Sequence, residues 1–317
     1  MLPLRTIIDP RADSRLERAH EAQRLRYKMN RTFKLDERFL WAGWKDWYDD
    51  MENSLCPDGY LNFQSDPALA PTLCGAGGET YLWRIREQIG LEQLNFLMNT
   101  FRETLCGNPM DMRIFENTWI TRTSMRHVYH LAVLHKFCRD YFGRPVTFVE
   151  VGGGFGNLAR LAFQYNLVER YLIIDLPQTG SVQHFFLTEF MDPDEIAVWD
   201  GARFIAGSES SKIWIVNPDA LAAVAETKTS PIVAISTNAL TEMPAAGQKY
   251  YLDSVPWDVA YAFGQTNKRD HVGGQHNDKY ASLDNTALFI ELANRAHPVK
   301  FIRGDFYSEF LGISHLF

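Results

Sequence analysis

Residues 146–177 read VTFVEVGGGFGNLARLAFQYNLVERYLIIDLP, and this stretch decides the fold. VTFVEV (146–151) is an apolar run of strand length. Gly152, Gly153, Gly154 and Gly156 then crowd one turn. Glycines are needed where a strand turns sharply into a helix and a ligand must approach the backbone. NLARLAFQYNL (157–167) has helical spacing, and RYLIIDL (170–176) is a second strand carrying Asp175 near its end. Strand, tight turn, helix and strand make one parallel βαβ unit.

Downstream the same alternation continues. SVQHFFLTEF (181–190) predicts a helix, KIWIVN (212–217) a strand and DALAAVAET (219–227) a short helix. PIVAIST (231–237) predicts a strand, AAGQKYYLDSV (245–255) a helix and DVAYAFG (258–264) a strand. LDNTALFIELANRA (283–296) predicts a helix and PVKFIRGDFY (298–307) a strand, followed by the tail FLGISHLF. ARFIA (202–206) reads as a short strand or a loop. Such spacing predicts an α/β fold with a doubly wound, mostly parallel, Rossmann-like sheet.

Upstream the texture is helical, which suggests a division into residues 1–145 and 146–317. RADSRLERAHEAQRLRYKM (11–29) predicts a charged helix with Leu16, Ala19, Ala22 and Leu25 on one face. Trp41, Trp44, Trp47 and Tyr48 fall at helical spacing and read as a core or interface stripe rather than a ligand-stacking platform. CGAGGET (74–80) breaks the pattern, and residues 80–105 read as two helices divided near Gly90. An amphipathic helix follows, with Ser124 as its expected N-cap. The N-terminal part is expected to cap an acceptor site or to mediate a homodimer.

Composition bounds the function. The 317 residues are 46% hydrophobic and 22% charged, which excludes a disordered or fibrous chain. A formal net charge of −7 argues against a general nucleic-acid or anionic-membrane surface. Cys56, Cys74, Cys106 and Cys138 are widely spaced, against a structural zinc site or disulfide framework and in keeping with a reducing cytosol. No apolar run approaches the roughly 20 residues of a membrane helix, and the first residues lack a signal-peptide core. The expectation is a soluble, cytoplasmic protein.

A dinucleotide site needs G-x-G-x-x-G, and here Asn157 follows Gly152-x-Gly154 at the third position. A nicotinamide-dependent oxidoreductase is therefore disfavoured. Instead Glu150-Val151-Gly152-Gly153-Gly154-Phe155-Gly156 resembles motif I, E/D-x-G-x-G-x-G, of class I S-adenosylmethionine-dependent methyltransferases. The resemblance implies S-adenosylmethionine as cofactor and S-adenosylhomocysteine as product. It places Gly152, Gly153, Gly154 and Gly156 against the methionine and ribose, and Glu150 toward the cationic amino group. Asp175 is assigned to the ribose hydroxyls, with Leu176, Asn217 and Ser236 as further cofactor contacts and nearby Asp219 as an alternative at adenine.

The glycine run, the Asp175-Leu176-Pro177 strand end and Glu242-Met243 after the fourth strand narrow the resemblance. Over roughly residues 110–265 the chain is similar to bacterial sugar O-methyltransferases. Gln265 stands where that family is expected to carry an asparagine. Plant-type small-molecule O-methyltransferases share the Gly-Gly-Gly and Asp-Leu-Pro features but place a catalytic His after the fourth strand. Here Ser236-Thr237-Asn238-Ala239-Leu240 has none.

Ligands of open α/β sheets sit outside the carboxyl ends of the strands. After the fourth strand these positions are Thr237, Asn238, Glu242 and Met243; after the fifth they begin the polar loop QTNKRDHVGGQHNDKY (265–280). His271 and His276 are candidate general bases because histidine titrates near neutrality, with a solvated loop as the plainer reading. Glu242 is a third candidate, or simply a carboxylate at a helix start. His184 reads as a structural or adenine-lining side chain. His127, His130 and His135 lack metal-ligand spacing and read as core or interface residues. Arg122 and Arg126 read as a solvated or salt-bridged face, with an acceptor-binding role as the alternative. No metal site is expected.

The sequence thus predicts methyl transfer from S-adenosylmethionine to a hydroxyl of a sugar or other polar small molecule, by in-line displacement with base assistance. Methylation of nitrogen or a carboxylate in natural-product biosynthesis is the alternative, and a non-enzymatic interaction module a third.

Overall fold

A computed structural model describes residues 14–34, 36, 39, 42–74, 80–115, 117–221, 230–265, 285–303 and 307–315, with the backbone alone at 42–46 and 80. In it β3 (Val146–Val151) is buried along its whole length. A strand hidden on both faces carries continuous apolar residues, and that is what VTFVEV supplies. Gly156, at φ +90°, starts α8 (Asn157–Gln164), and β4 (Val168–Ile174) returns parallel to β3.

Helix α9 (Pro177–Leu187) begins at Pro177, earlier than the sequence suggests, because proline suits the first helical turn. Next to it β5 (Ile196–Trp199) and β6 (Phe204–Ala206) form a short antiparallel hairpin. Of these two strands, β5 was not expected, while β6 settles ARFIA as a short strand rather than a loop. Four residues after a tight turn carry too little periodicity to announce β5. β7 (Ile213–Val216), β8 (Ile232–Thr237), α10 (Ala245–Ser254), β9 (Val259–Gln265) and α11 (Thr286–Arg295) lie close to their predicted places. Of the short helix expected at 219–227, Pro218–Ala220 form a 3-10 turn, and residues 222–229 lie outside the described ones.

β10 (Ala296–Arg303) begins two residues early, and the expected tail is a further strand, β11 (Tyr307–Ser314). Gly312 interrupts its pattern, yet most of β11 is buried, because it inserts antiparallel between β9 and β10. The resulting sheet has the order β10-β11-β9-β8-β3-β4-β7-β5-β6. β5, β7, β4, β3, β8 and β9 are mutually parallel. With helices on both faces, this is the doubly wound, mostly parallel sheet expected. The order reverses between β3 and β8, which is the topological switch.

Ahead of the sheet lie α1 (Arg15–Thr32), α2 (Ala42–Ser54), α3 (Pro57–Asn62), α4 (Ala70–Leu73), α5 (Thr80–Gln88) and α6 (Leu91–Thr100). A small hairpin, β1 (Arg113–Phe115) and β2 (Thr118–Ile120), leads into α7 (Arg122–Tyr141). Ser124 is not the cap of α7. Thr121 takes that place, its Oγ1 accepting from the Ser124 N–H at 3.1 Å. Glu103 Oε2 fixes the Thr121 N–H at 2.7 Å and so selects the earlier of two cap-competent residues.

Ala19, Ala22, Leu25 and Met29 of α1 are fully buried, whereas Leu16 is 52% exposed and leaves the expected face. Buried Glu189, just beyond α9, pairs with both Arg15 and Arg18 and anchors α1. One continuous apolar core joins α1, α3, α5, α6 and α7 to α8, α9 and that face of the sheet. The Phe63 ring lies 5.2 Å from Phe155, and Tyr60 Oη lies 2.8 Å from Ser181 Oγ. A second cluster under α10 and α11 covers the opposite face. Trp47 is half-buried against the first core and donates to the Ala68 carbonyl at 3.0 Å. Trp41 and the Trp44 side chain lie outside the described parts. Among the described residues no helix is long and apolar enough to cross a membrane.

Candidate active site

The carboxyl ends of β3, β4, β7, β8 and β9 share one edge, as their parallel pairing requires. The glycine turn occupies its centre. Gly152, Gly154 and Gly156 have φ of +77°, +54° and +90°, a region that disfavours side chains. At Gly153 the reason is space, since a Cβ would run into Ile173 and the Glu150 carboxylate. At Gly152 it would strike Ala239 beyond β8. The turn therefore threads between the exits of β4 and β8.

Glu150 is buried beneath this turn. Its Oε2 accepts from the Tyr171 hydroxyl at 2.7 Å. Burial pushes the carboxyl up to about 8, with the charge of Asp175 adding to the rise and Tyr171 opposing it. Asp175, half-buried at the end of β4, accepts from Leu176 N–H at 2.9 Å and from Gln183 Nε2 at 2.8 Å. Burial raises it to about 7, against the Leu176, Gln183, Gly153 and Thr179 donors. Gln183 Nε2 also donates to the Gly154 carbonyl at 2.9 Å. Asp175 and Gln183 thus brace the glycine turn against α9.

Other expected cofactor contacts surround this centre. Leu176 is half-buried and precedes α9. Asn217 follows β7, next to the Asp175 N–H bond to Val216 O at 3.1 Å. It is fully buried, and neither side-chain amide atom has a hydrogen-bond partner. Nearby Asp219, the other adenine candidate, is raised by burial. Ser236 is buried and engaged within the protein, donating to Val151 O at 3.3 Å and accepting from Leu240 N–H at 3.0 Å. It locks the exits of β3 and β8 together.

On the acceptor side, Glu242 is half-buried in the turn Ala239–Glu242 after β8. Arg126 of α7 senses its charge. Arg126 is not on a solvated face, because it is buried with Nη2 3.3 Å from the Cys74 carbonyl, while Arg122 is exposed. Burial lowers the Arg126 guanidinium, and Tyr81, Glu242, Cys74 and Tyr307 oppose the shift. Tyr81 and Tyr307 flank Phe263, at 6.1 and 5.6 Å between ring centroids. His271 and His276, with the loop after Gln265, lie outside the described residues.

The histidines of α7 diverge to separate partners. His127 Nδ1 meets Asn157 Nδ2 at 3.0 Å, His130 Nδ1 meets the Tyr261 hydroxyl at 2.8 Å, and His135 Nδ1 meets Gln93 Nε2 at 2.8 Å. Glu309 accepts from Tyr129 at 2.6 Å and from Tyr261 at 3.0 Å, and pairs with Lys300 at 2.8 Å. This network spans α7, β9, β10 and β11, so sequence spacing carries no sign of it. Arg126 was weighed at the wrong exposure, because α7 reads as amphipathic in sequence yet is buried nearly all round. Among the described residues no group of three or more His, Cys, Asp or Glu side chains is placed to hold a metal.

No protein-family model matches the chain, and no curated protein sequence does. Solved structures give weak likenesses. The pyocyanin biosynthetic protein PhzM is 13% identical over 61% of this chain and 57% of its own, with a TM-score of 0.37. The M. capricolum TrmK, solved with S-adenosyl-homocysteine, is 9% identical over 58% of this chain and 68% of its own, at 0.34. A SAM dependent methyltransferase from Aquifex aeolicus is 10% identical over 57% of this chain and 89% of its own, at 0.36. The chain thus spans little more than half the length of PhzM.

Proposed function

We propose that the chain is an S-adenosylmethionine-dependent methyltransferase acting on a hydroxyl of a sugar or other polar small molecule. The observation that carries this reading is the glycine turn over Glu150, with Asp175 across from it. Glu150 is a buried carboxyl with one hydroxyl donor and a pKa near 8, a site suited to a cationic ligand. The positive-φ glycines hold the turn tight over Glu150, and the buried Asn217 amide beyond β7 has no hydrogen-bond partner, so the residues present fit this cofactor.

Glu150 would face the cationic end of the donor, Asp175 the ribose, and Leu176 and Asn217 the base, with Ser236 holding the β3 and β8 exits in register. When bound, S-adenosylmethionine would supply an electrophilic sulfonium methyl with a neutral thioether as its leaving group, and the chain's own residues would align the acceptor oxygen and take up its proton. Glu242 is the described candidate to take that proton, with His271 and His276 the other two. The Glu242 charge acts on buried Arg126 and opposes the fall that burial imposes on its guanidinium. The N-terminal helices would cap the acceptor, and the acidic net charge favours a small molecule over nucleic acid.

Methylation of a planar, anionic natural-product intermediate is the second reading. The rings of Tyr81, Phe263 and Tyr307 close to buried Arg126 favour it.

Calorimetric titration with S-adenosylhomocysteine tests the shared part of both readings. Tight binding by the wild type, lost in Asp175→Ala, is the expected result. Absence of wild-type binding would remove the basis for methyl transfer.

A further inference from the structure

Asn108, Asn117, Asn166 and Asn238 are the described non-glycine residues with positive φ. The first three lie at 54–61°, in the left-handed region that asparagine tolerates. Asn238 differs, with φ +89° and ψ −39°. That conformation persists only because its surroundings over-determine it. The Asn238 N–H donates to Phe263 O on β9 at 2.6 Å. Its carbonyl accepts from Thr241 N–H at 2.8 Å and Thr241 Oγ1 at 2.7 Å. The side-chain amide, in contrast, has no hydrogen-bond partner among the described residues and is half-buried.

The position of this strain matters. Asn238 is the first residue beyond β8, at the topological switch. Its neighbour Ala239 fills the space over Gly152. Thr241, which holds its carbonyl, also accepts from Gln265 N–H at 3.2 Å at the exit of β9. Asn238 therefore stands between the glycine turn and the acceptor-side strand end. Strained backbone clusters at active sites and ligand clamps, and here it belongs to a residue whose amide is unengaged among the described residues.

We propose that Asn238 orients the methyl acceptor, its Oδ1 accepting from the hydroxyl to be methylated and its Nδ2 donating to an adjacent oxygen. The proposal rests on the methyl-transfer reading and names the acceptor class as a vicinal diol. An amide presents an acceptor and a donor side by side, so two neighbouring oxygens satisfy it and an isolated hydroxyl does not. Asn238 aligns the oxygen and takes no proton. The proton leaves to the base when the methyl arrives.

The test compares wild type, Asn238→Gly and Asn238→Asp. Melting temperature and S-adenosylhomocysteine affinity are measured first. Methyl transfer from labelled S-adenosylmethionine to catechol, phenol and UDP-glucose follows. Glycine removes the strain, so Asn238→Gly is expected to melt about 2 °C or more above wild type, with cofactor affinity within about twofold. Its transfer to a diol should fall about 100-fold. Asn238→Asp keeps the acceptor atom and loses the donor, and should lose the preference for catechol over phenol. Transfer to catechol or to UDP-glucose tells an aromatic from a sugar diol.

A lower melting temperature for Asn238→Gly would make the residue a structural anchor and overturn the proposal. So would unchanged transfer by that variant, wild-type use of phenol as readily as catechol, or a cofactor-binding wild type that methylates neither diol. A wild type that binds no S-adenosylhomocysteine would instead sink the methyl-transfer reading itself.

Discussion

The Tyr171 hydroxyl reaches across from β4 to donate to Glu150 Oε2 at 2.7 Å, under the backbone of Gly153. This bond supports a carboxyl that burial keeps protonated into the neutral range. Removing the hydroxyl strands the ionised form more than the neutral one. Tyr171→Phe should therefore destabilise the protein by about 1–3 kcal/mol above pH 9 and by less at pH 6. Urea titrations at the two pH values check the difference; an equal loss at both would break the link to Glu150.

Glu150 and Asp175 also set a pH dependence. Their folded pKa values, about 8 and about 7, lie above ordinary carboxylate values near 4. A raised pKa contributes stability that is complete below the unfolded value and is lost as pH rises through the folded one. Wild type should thus lose stability from about pH 4 up to about pH 8 relative to Glu150→Gln, with no further loss above that. A cationic ligand favours the ionised pair, so S-adenosylmethionine should bind more tightly as pH rises and release protons. Calorimetry in buffers of different ionisation enthalpy measures that release.

Three buried histidines act at the other end of the scale. Burial holds His184 at about 4, and His127 and His130 well below 6.5. For these groups stability is present above the unfolded value near 6.5 and falls as pH drops toward the folded one. Each contributes up to about 1.4 kcal/mol per pH unit in that window. Thermal melts between pH 7 and 4.5 should show a steep loss. His184→Gln should flatten it.

Gly153→Ala tests the turn itself. Its Cβ would press on Ile173 and Glu150. Overpacking of this kind costs about 1–3 kcal/mol. The larger effect is expected on S-adenosylhomocysteine affinity, because the displaced backbone is the proposed binding surface. A variant that loses stability but binds normally would separate the turn from the cofactor.

Much of this architecture is legible in sequence because it is local. The β3 strand, glycine turn, α8 and Asp175 fall within 30 residues and are each set by their own neighbours. β5 and β11 were hidden for opposite reasons. β5 is four residues long, and β11 is broken by Gly312 and gains its identity only by pairing between β9 and β10. The cap of α7 depended on Glu103, 18 residues away from Thr121. Arg126 looked like a surface cation until α7 was packed among the N-terminal helices and the sheet. Asn238 carries no motif; its strain arises from bonds to Phe263 and Thr241.

Glu189→Ala asks how firmly the N-terminal helix is docked. Glu189 is fully buried while Arg15 and Arg18 keep partial exposure. Breaking a buried pair costs about 3–5 kcal/mol, and the solvent left to the arginines puts this case near 3. A drop in the urea midpoint without loss of cofactor binding is the expected result.

That docking has a consequence for biosynthesis. Arg15 and Glu189 are 174 residues apart in the chain. At translation rates of about 5–20 residues per second, α1 emerges from the ribosome about 9–35 s before its partner. During that interval Tyr60 and Phe63 have no Phe155, Phe185 or Phe186 to pack against. The nascent N-terminal helices would present an aromatic surface to chaperones, and the middle third of the chain would complete a core that the first third had already begun.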